Sequence, residues 1–153
     1  MNVRYDVVQC FVLRPAGGAY EFLQMRRSAG DFMGGSWQTV YGKIEGTETA
    51  WQAAVRELRE ETGLSPVEFY QLDTVNTFYL AARDEIWHVP MFCAIVDPEA
   101  QVRLNAEHDA VRWVARPQAM EAFIWPGEKS ALRELVREIL DNGPAKVHMR
   151  IKG

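Results

Sequence analysis

Apolar and polar residues first fall into a two-residue period. Val3 to Leu13 is a β-rich run, Arg14-Pro15-Ala16-Gly17-Gly18 is a turn, and Tyr20 to Met25 is a partner strand, which predicts a hairpin over residues 3–26. A Gly-rich loop, Ser28–Ser36, and a short strand, Trp37–Val40, follow. The period then changes. Trp51, Ala54, Val55 and Leu58 form an i, i+3, i+4, i+7 stripe, which predicts a helix with Thr47 as N-cap, Glu48 in its first turn and Gly63 as its stop. Strands return at Phe69–Val75, Asn76–Ala81 and Ile86–Val96, with a turn at Asp97-Pro98-Glu99 and a short core strand at Val111–Val114. Pro117 opens a helical turn, Gln118–Phe123. A last helix runs from about Glu128 to Leu140 on a stripe of Leu132, Leu135, Val136 and Ile139, and Asn142-Gly143-Pro144 ends it. The tail Lys146–Lys152 alternates Val147, Met149 and Ile151 with charged residues, which predicts a half-exposed strand or an edge for a partner, and with it a homodimer. Strands mixed with helices in this order give an α/β chain, a mixed sheet between helices in an α/β/α sandwich.

Composition narrows the function classes. The 153 residues suit one domain, residues 1–153, with a real core. A net charge of −4 gives no footprint for duplex nucleic acid, which asks for a basic face. No run approaches the length of a membrane span and no charged-then-apolar leader opens the chain, so the expected location is cytoplasmic, with no membrane partner. Cys10 and Cys93, the two cysteines, lie in apolar runs and read as free core thiols.

The chemistry sits on the first helix. Glu57, Glu60 and Glu61 fall at i, i+3 and i+4, on one side of it. Three carboxylates so close repel one another unless a cation lies between them. Hard divalent ions take oxygen ligands and are held by a few carboxylates plus substrate phosphates. The expected cofactor is therefore Mg²⁺, with Mn²⁺ as an alternative, and the expected substrate a small phosphate-bearing molecule. A solvated acidic face is the competing reading.

The string around the acids decides between them. Gly42, five residues, Glu48, seven residues, Arg56-Glu57-Leu58, one residue, Glu60-Glu61, one residue, Gly63-Leu64 resembles the signature of the Nudix hydrolases at every fixed position. The resemblance implies a loop–helix–loop that binds divalent metal and hydrolyses a nucleoside diphosphate linked to another group, on the α/β/α fold expected above. Carried over position by position, Glu57, Glu60 and Glu61 would be metal ligands, or one of them a base. Arg56 would orient them, and Glu48 would brace the loop or touch metal through water. Gly42 and Gly46 would let the backbone turn tightly enough to offer groups to the metal and phosphate.

Residues outside the string choose the substrate. The run LQMRRSAGDFMGGSWQTVYGKIE resembles the bacterial Nudix subgroup that hydrolyses dihydroneopterin triphosphate and dATP, as does Asn105-Ala106-Glu107-His108 ahead of Trp113, while the Gly34-Gly35 insertion departs from it. Nudix enzymes acting on dinucleoside polyphosphates or RNA 5′ ends typically carry Trp-Gln-x-Pro-x-Gly-Gly before the box; Trp37-Gln38-Thr39-Val40-Tyr41-Gly42 lacks that proline. Glu107 reads as a fourth ligand, a general base or a solvated loop acid. His108 reads as a surface imidazole ahead of a partner for the acids. Arg27 and Lys129 suit phosphate oxygens, with a surface ion pair as the alternative for Arg27. Phe32 and Trp37 suit stacking on a purine or pterin ring, with core packing as the alternative for Trp37. Trp87 and Trp125 read as core or interface. The expected reaction is conversion of a nucleoside or pterin triphosphate to the monophosphate and pyrophosphate. A nucleotide-sensing module without catalysis is the other class, but such modules lose box glutamates or gain a DNA-binding domain.

Overall fold

The structure is a computed structural model that describes residues 1–31 and 33–152. Two apolar layers build it, one on each face of a single sheet. Strands β1 (Asn2–Arg4), β2 (Val7–Ala16), β3 (Ala19–Arg27), β4 (Trp37–Gln38), β5 (Val40–Lys43), β6 (Glu68–Leu80), β7 (Glu85–Ile95) and β8 (His108–Val114) all join this sheet. Its path is β1-β7-β2-β3-β4, with β5 on β2, β6 on β7 and β8 on β3. β7 runs parallel to β1 and β2, and the other pairings are antiparallel, so the sheet is mixed as expected.

Alternate residues of each central strand feed opposite layers. Val8, Cys10 and Val12 pack under helix α1 (Ala50–Thr62), against Ala53, Ala54 and Leu58. Phe11 and Leu13 face the other layer, formed by helices α2 (Arg116–Ala122) and α3 (Pro126–Glu134) and the π-helical continuation Leu135–Leu140. The α/β/α sandwich is thus observed. Cys10 and Cys93 are buried free thiols in opposite layers.

Several boundaries differ from the sequence reading. The first strand breaks at Tyr5-Asp6, so the hairpin spans β2 and β3, and β1 pairs with β7 instead. The strands read at 69–75 and 76–81 are one bent strand, β6. Its register with β7 shifts between Gln71 and Val75. Buried Glu134 of α3 satisfies that bulge, accepting from the Asp73 N–H at 2.6 Å, the Thr74 N–H at 3.0 Å and the Thr74 hydroxyl. The tail is not a strand for a partner. Lys146–Met149 form a short helix, α4, with Met149 buried, and Ile151 N–H donates to the Phe69 carbonyl at 2.8 Å. The tail closes on its own sheet, which removes the reason for expecting a dimer.

Helix α1 is capped by Thr49 and not by Thr47. The Gln52 N–H donates to Thr49 Oγ1 at 3.2 Å, and the Thr49 N–H donates to Gln52 Oε1 at 2.8 Å. That reciprocal box needs Gln or Glu three residues on, which Thr49 has and Thr47, with Ala50, lacks. Gly63 ends the helix with φ 74°, its N–H reaching the Arg59 carbonyl at 2.9 Å.

Candidate functional site

The box acids divide into an outer and an inner set. Arg56 gathers the outer set. Its Nη2 donates to Glu48 at 2.6 Å and to the Lys43 carbonyl at 2.7 Å, and its Nη1 donates to Glu57 at 2.9 Å and Glu60 at 3.3 Å. Glu48 lies before the helix, not in its first turn, and also accepts from the Glu45 N–H at 2.8 Å. The Arg56 guanidinium holds the Glu48 carboxyl below the usual range, and Glu48 in turn raises Arg56. Glu60 stays more than half exposed on this outer side.

The inner set is Glu57, Glu61 and Glu107, with His108. Glu57 lies directly over Gly42 of β5: a Cβ there would collide with the Glu57 carboxylate. The sequence thus keeps a glycine where a carboxylate presses on backbone. Glu61 is 1% exposed and receives the Tyr41 N–H at 3.4 Å. Burial pushes its carboxyl up to about 9, helped by a hydrogen bond with Glu57 and by the charges of Glu107 and Glu57. Glu107 is raised too, first by burial and then by Glu57, with Arg27 opposing. One ligand atom each from Glu61, Glu107 and His108 lies within 4.8 Å of the others.

Two loops hold the inner set in place. Ser28 N–H donates to the Glu107 carbonyl and Ser28 Oγ to the Ala106 carbonyl, both at 3.0 Å, and Glu107 N–H donates to Asn105 Oδ1 at 3.1 Å. His108 is not on the surface: it is 5% exposed, opens β8, and puts Nδ1 3.9 Å from Glu61 Oε1. Among the described residues neither ring nitrogen has a hydrogen-bond partner. Burial and the Arg27 charge lower its pKa, so it is a neutral ring beside a buried carboxyl. A bulge between Arg26 and Arg27 turns His108 inward, since the β3–β8 register shifts there by one residue. Nothing in the sequence marks that bulge.

The other expected residues are scattered. Arg27 sits beside Glu107 and His108, with its buried Nε lacking a hydrogen-bond partner and 3.9 Å from Asp31. Trp37 in β4 is half-buried, and the Arg112 guanidinium covers its ring at 3.9 Å, so it is neither a core residue nor a bare platform. Lys129 lies on α3, across the sheet from α1, and among the described residues it makes no ion pair with the acids. Phe32 lies outside the described residues. Trp87 stacks between Phe78 and Arg4. Trp125 is 59% exposed, which overturns its reading as core. Sequence reasoning also missed a buried pair beside it: Gln9 Nε2 of β2 donates to Glu128 Oε2 of α3 at 2.7 Å. Burial raises the Glu128 carboxyl against that bond.

The inner donors fit a hard divalent ion. Two carboxylates and a histidine, Glu61, Glu107 and His108, converge, and burial makes the ionised Glu61 costly without a countercharge. Among the described residues no helix is long and apolar enough to cross a membrane.

Known proteins resemble this chain in sequence and fold. An octanoyltransferase of Myxococcus xanthus is 43% identical over 106 residues, covering 68% of this chain but 28% of that protein, so the chain spans under a third of its length. A bis(5′-nucleosyl)-tetraphosphatase (asymmetrical) of Sus scrofa is 29% identical over 121 residues, 76% of this chain and 78% of that one. The crystal structure of a C. elegans Ap4A hydrolase binary complex superposes with a TM-score of 0.73 at 23% identity, over 88% of this chain and 97% of that one, which shows the shared fold. The NUDIX domain family pattern matches residues 3–135, and the chain belongs to that family.

Proposed function

We propose that this Nudix hydrolase converts a nucleoside or pterin triphosphate to its monophosphate and pyrophosphate, with Mg²⁺, or Mn²⁺ in its place, as cofactor. The observation that carries the reading is the inner acid set, a buried Glu61 beside Glu57 and Glu107 whose carboxyl makes no ion pair with Lys or Arg among the described residues. When bound, the ion neutralises phosphate oxygens and lowers the pKa of a water. Glu57, Glu60, Glu61 and Glu107 would supply its oxygen ligands, and the Gly42 backbone lies against the Glu57 side. Arg56 holds Glu57 in place. Arg27, with an unpaired guanidinium nitrogen beside Glu107, suits the phosphate oxygens as a planar fork. Glu107 would take the proton of the attacking water. Water oxygen bonds to phosphorus, the P–O–P bridge breaks, and pyrophosphate leaves. Lys129, Trp37 and Phe32 stand as weaker contacts to the rest of the substrate.

The subgroup resemblance at Arg27 and Glu107 favours a triphosphate with a purine or pterin ring. A second reading has one observation for it: the Sus scrofa relative is named for dinucleoside tetraphosphates. Phosphorus NMR of the products from a nucleotide panel with Mg²⁺ separates the two. The expected products are monophosphate and pyrophosphate from a triphosphate, abolished by EDTA. Turnover confined to dinucleoside polyphosphates would overturn the proposal, and so would EDTA-resistant turnover.

A further inference from the structure

His108 is the member of the inner set to which the proposed chemistry gives no task. It is 5% exposed, and among the described residues both its ring nitrogens are buried without a hydrogen-bond partner. The other two histidines, His88 and His148, are exposed. A buried polar group left without a partner is costly and calls for an explanation.

The fold aims the ring. The β3–β8 register sets Ala110 opposite Arg26 and His108 opposite Arg27, which leaves Asp109 as the extra residue of the bulge. Asp109 turns outward and accepts from Arg26 Nε at 2.7 Å. His108 turns the other way, toward Glu61. The loop that carries it is anchored by its backbone. The His108 N–H donates to the Asn105 carbonyl at 3.5 Å, and the Glu107 carbonyl accepts from the Ser28 N–H at 3.0 Å.

The spacing discriminates between two roles for the ring. Nδ1 stands 3.9 Å from Glu61 Oε1. A hydrogen bond from a ring nitrogen closes to about 2.7–3.2 Å, so the two groups do not satisfy each other directly. Two donors bound to one first-row ion, each at about 2.1 Å, stand roughly 3–4.2 Å apart, according to the angle between them. The His108–Glu61 spacing falls inside that range. Glu107 completes the group. One atom from each of the three residues lies within 4.8 Å of the others, and the exposed Glu107 side chain is free to close what remains.

We propose that His108 is a nitrogen ligand of the inner ion, beside Glu61 and Glu107, and that it biases the site towards first-row transition ions such as Co²⁺ and Zn²⁺ over Mg²⁺. This deepens, and rests on, the metal-dependent reading above. Carboxylates suit Mg²⁺, whereas imidazole suits ions later in the first row. A neutral ring ligates through its unprotonated nitrogen. Mg²⁺ then sits on oxygen donors alone, and more weakly.

The test uses Co²⁺ and Mg²⁺ with the metal-free protein at pH 7.5. Proton NMR of the Co²⁺ form reads ligation directly, since a histidine bound to Co²⁺ shows its remaining ring N–H as a strongly shifted resonance that is lost on exchange into D₂O. His88→Gln/His148→Gln removes the two exposed rings and leaves His108 as the one histidine of the chain. The resonance is expected in the wild type and in this double variant, and is expected to vanish in His108→Gln. Calorimetric titration should show Co²⁺ affinity falling at least about tenfold in His108→Gln, with Mg²⁺ affinity changed far less. Co²⁺ bound by the double variant without the shifted resonance overturns the inference and leaves the metal reading standing. That result needs no substitution at the buried position, so it decides the matter even where His108→Gln fails to fold. Equal losses of Co²⁺ and Mg²⁺ affinity in a folded His108→Gln also overturn it. Failure of the wild type to bind either ion overturns the metal reading and the inference together.

Discussion

The two sides of helix α1 treat the same residue type in opposite ways. On the outer side Arg56 binds Glu48, Glu57 and Glu60, and Glu48 is held below its ordinary pKa. On the inner side Glu61 is buried and Glu107, although exposed, is partly desolvated beside Glu57, and both are raised. The protein supplies countercharge on the outer side, and the inner side is where the proposed ion would enter. A lone arginine serving both sides would compete with the metal. Glu57 spans the two, bonded to Arg56 on one side and Glu61 on the other, which makes it the hinge of the arrangement.

The largest effect should come from removing an inner charge. Glu61→Gln is expected to lower pyrophosphate release by about 10²–10³-fold or more, as loss of a preorganised electrostatic group does. The same variant should match or exceed the wild type in melting temperature without metal, because the amide avoids the cost of keeping a buried carboxyl protonated at neutral pH. A fall in both would show that the inner acids serve the fold. Gly42→Ala should follow, since its methyl group enters the space of the Glu57 carboxylate. Overpacking of this kind costs about 1–3 kcal/mol, read by urea unfolding, together with most of the activity.

The outer side should break differently. Arg56→Met leaves Glu48, Glu57 and Glu60 unpaired and should cost about 1–2 kcal/mol of stability, since hydrogen bonds to charged groups contribute about that much when partly exposed. Loss of activity with unchanged stability would make Arg56 a residue of the chemistry alone.

The pH response should separate the two sides again. A carboxyl raised in the folded state binds more protons folded than unfolded between its ordinary pKa and its raised one. Stability contributed there is present at low pH and falls as pH rises, for Glu61 from about 4.5 to about 9. Metal-free protein should therefore melt at progressively lower temperature from pH 6 to pH 9, and Glu61→Gln should flatten that slope. Glu48 has the opposite sign: its contribution is lost as pH falls below its ordinary range. The smallest effect is at the cap, where Thr49→Ala should cost about 1 kcal/mol and Thr47→Ala nearly nothing.

Helix α1 and its acids were legible because their spacing is local. Glu57 and Glu61 share a face by the geometry of one helix, and Gly63 stops it wherever that helix lies. Even the correct cap was readable, from Gln52 three residues after Thr49. What the sequence hides is set by contacts between distant segments. His108 turns inward through a bulge that exists only when β3 meets β8. β6 bends because Glu134, some sixty residues on, fills its bulge. Gln9 and Glu128 are separated by 119 positions and meet only across the folded sheet. The tail alternates like a strand, yet Met149 finds a pocket and the segment coils into it.

Proton release on metal binding tests the division of the acids most directly. Mg²⁺ titrated calorimetrically into metal-free protein at pH 7, in buffers of different ionisation enthalpy, reports how many protons leave per ion bound. With Glu61 protonated before the ion arrives, the expected value is about one proton per first ion, falling towards zero in Glu61→Gln. Binding without proton release in the wild type, or release of the same size in the variant, would contradict the account.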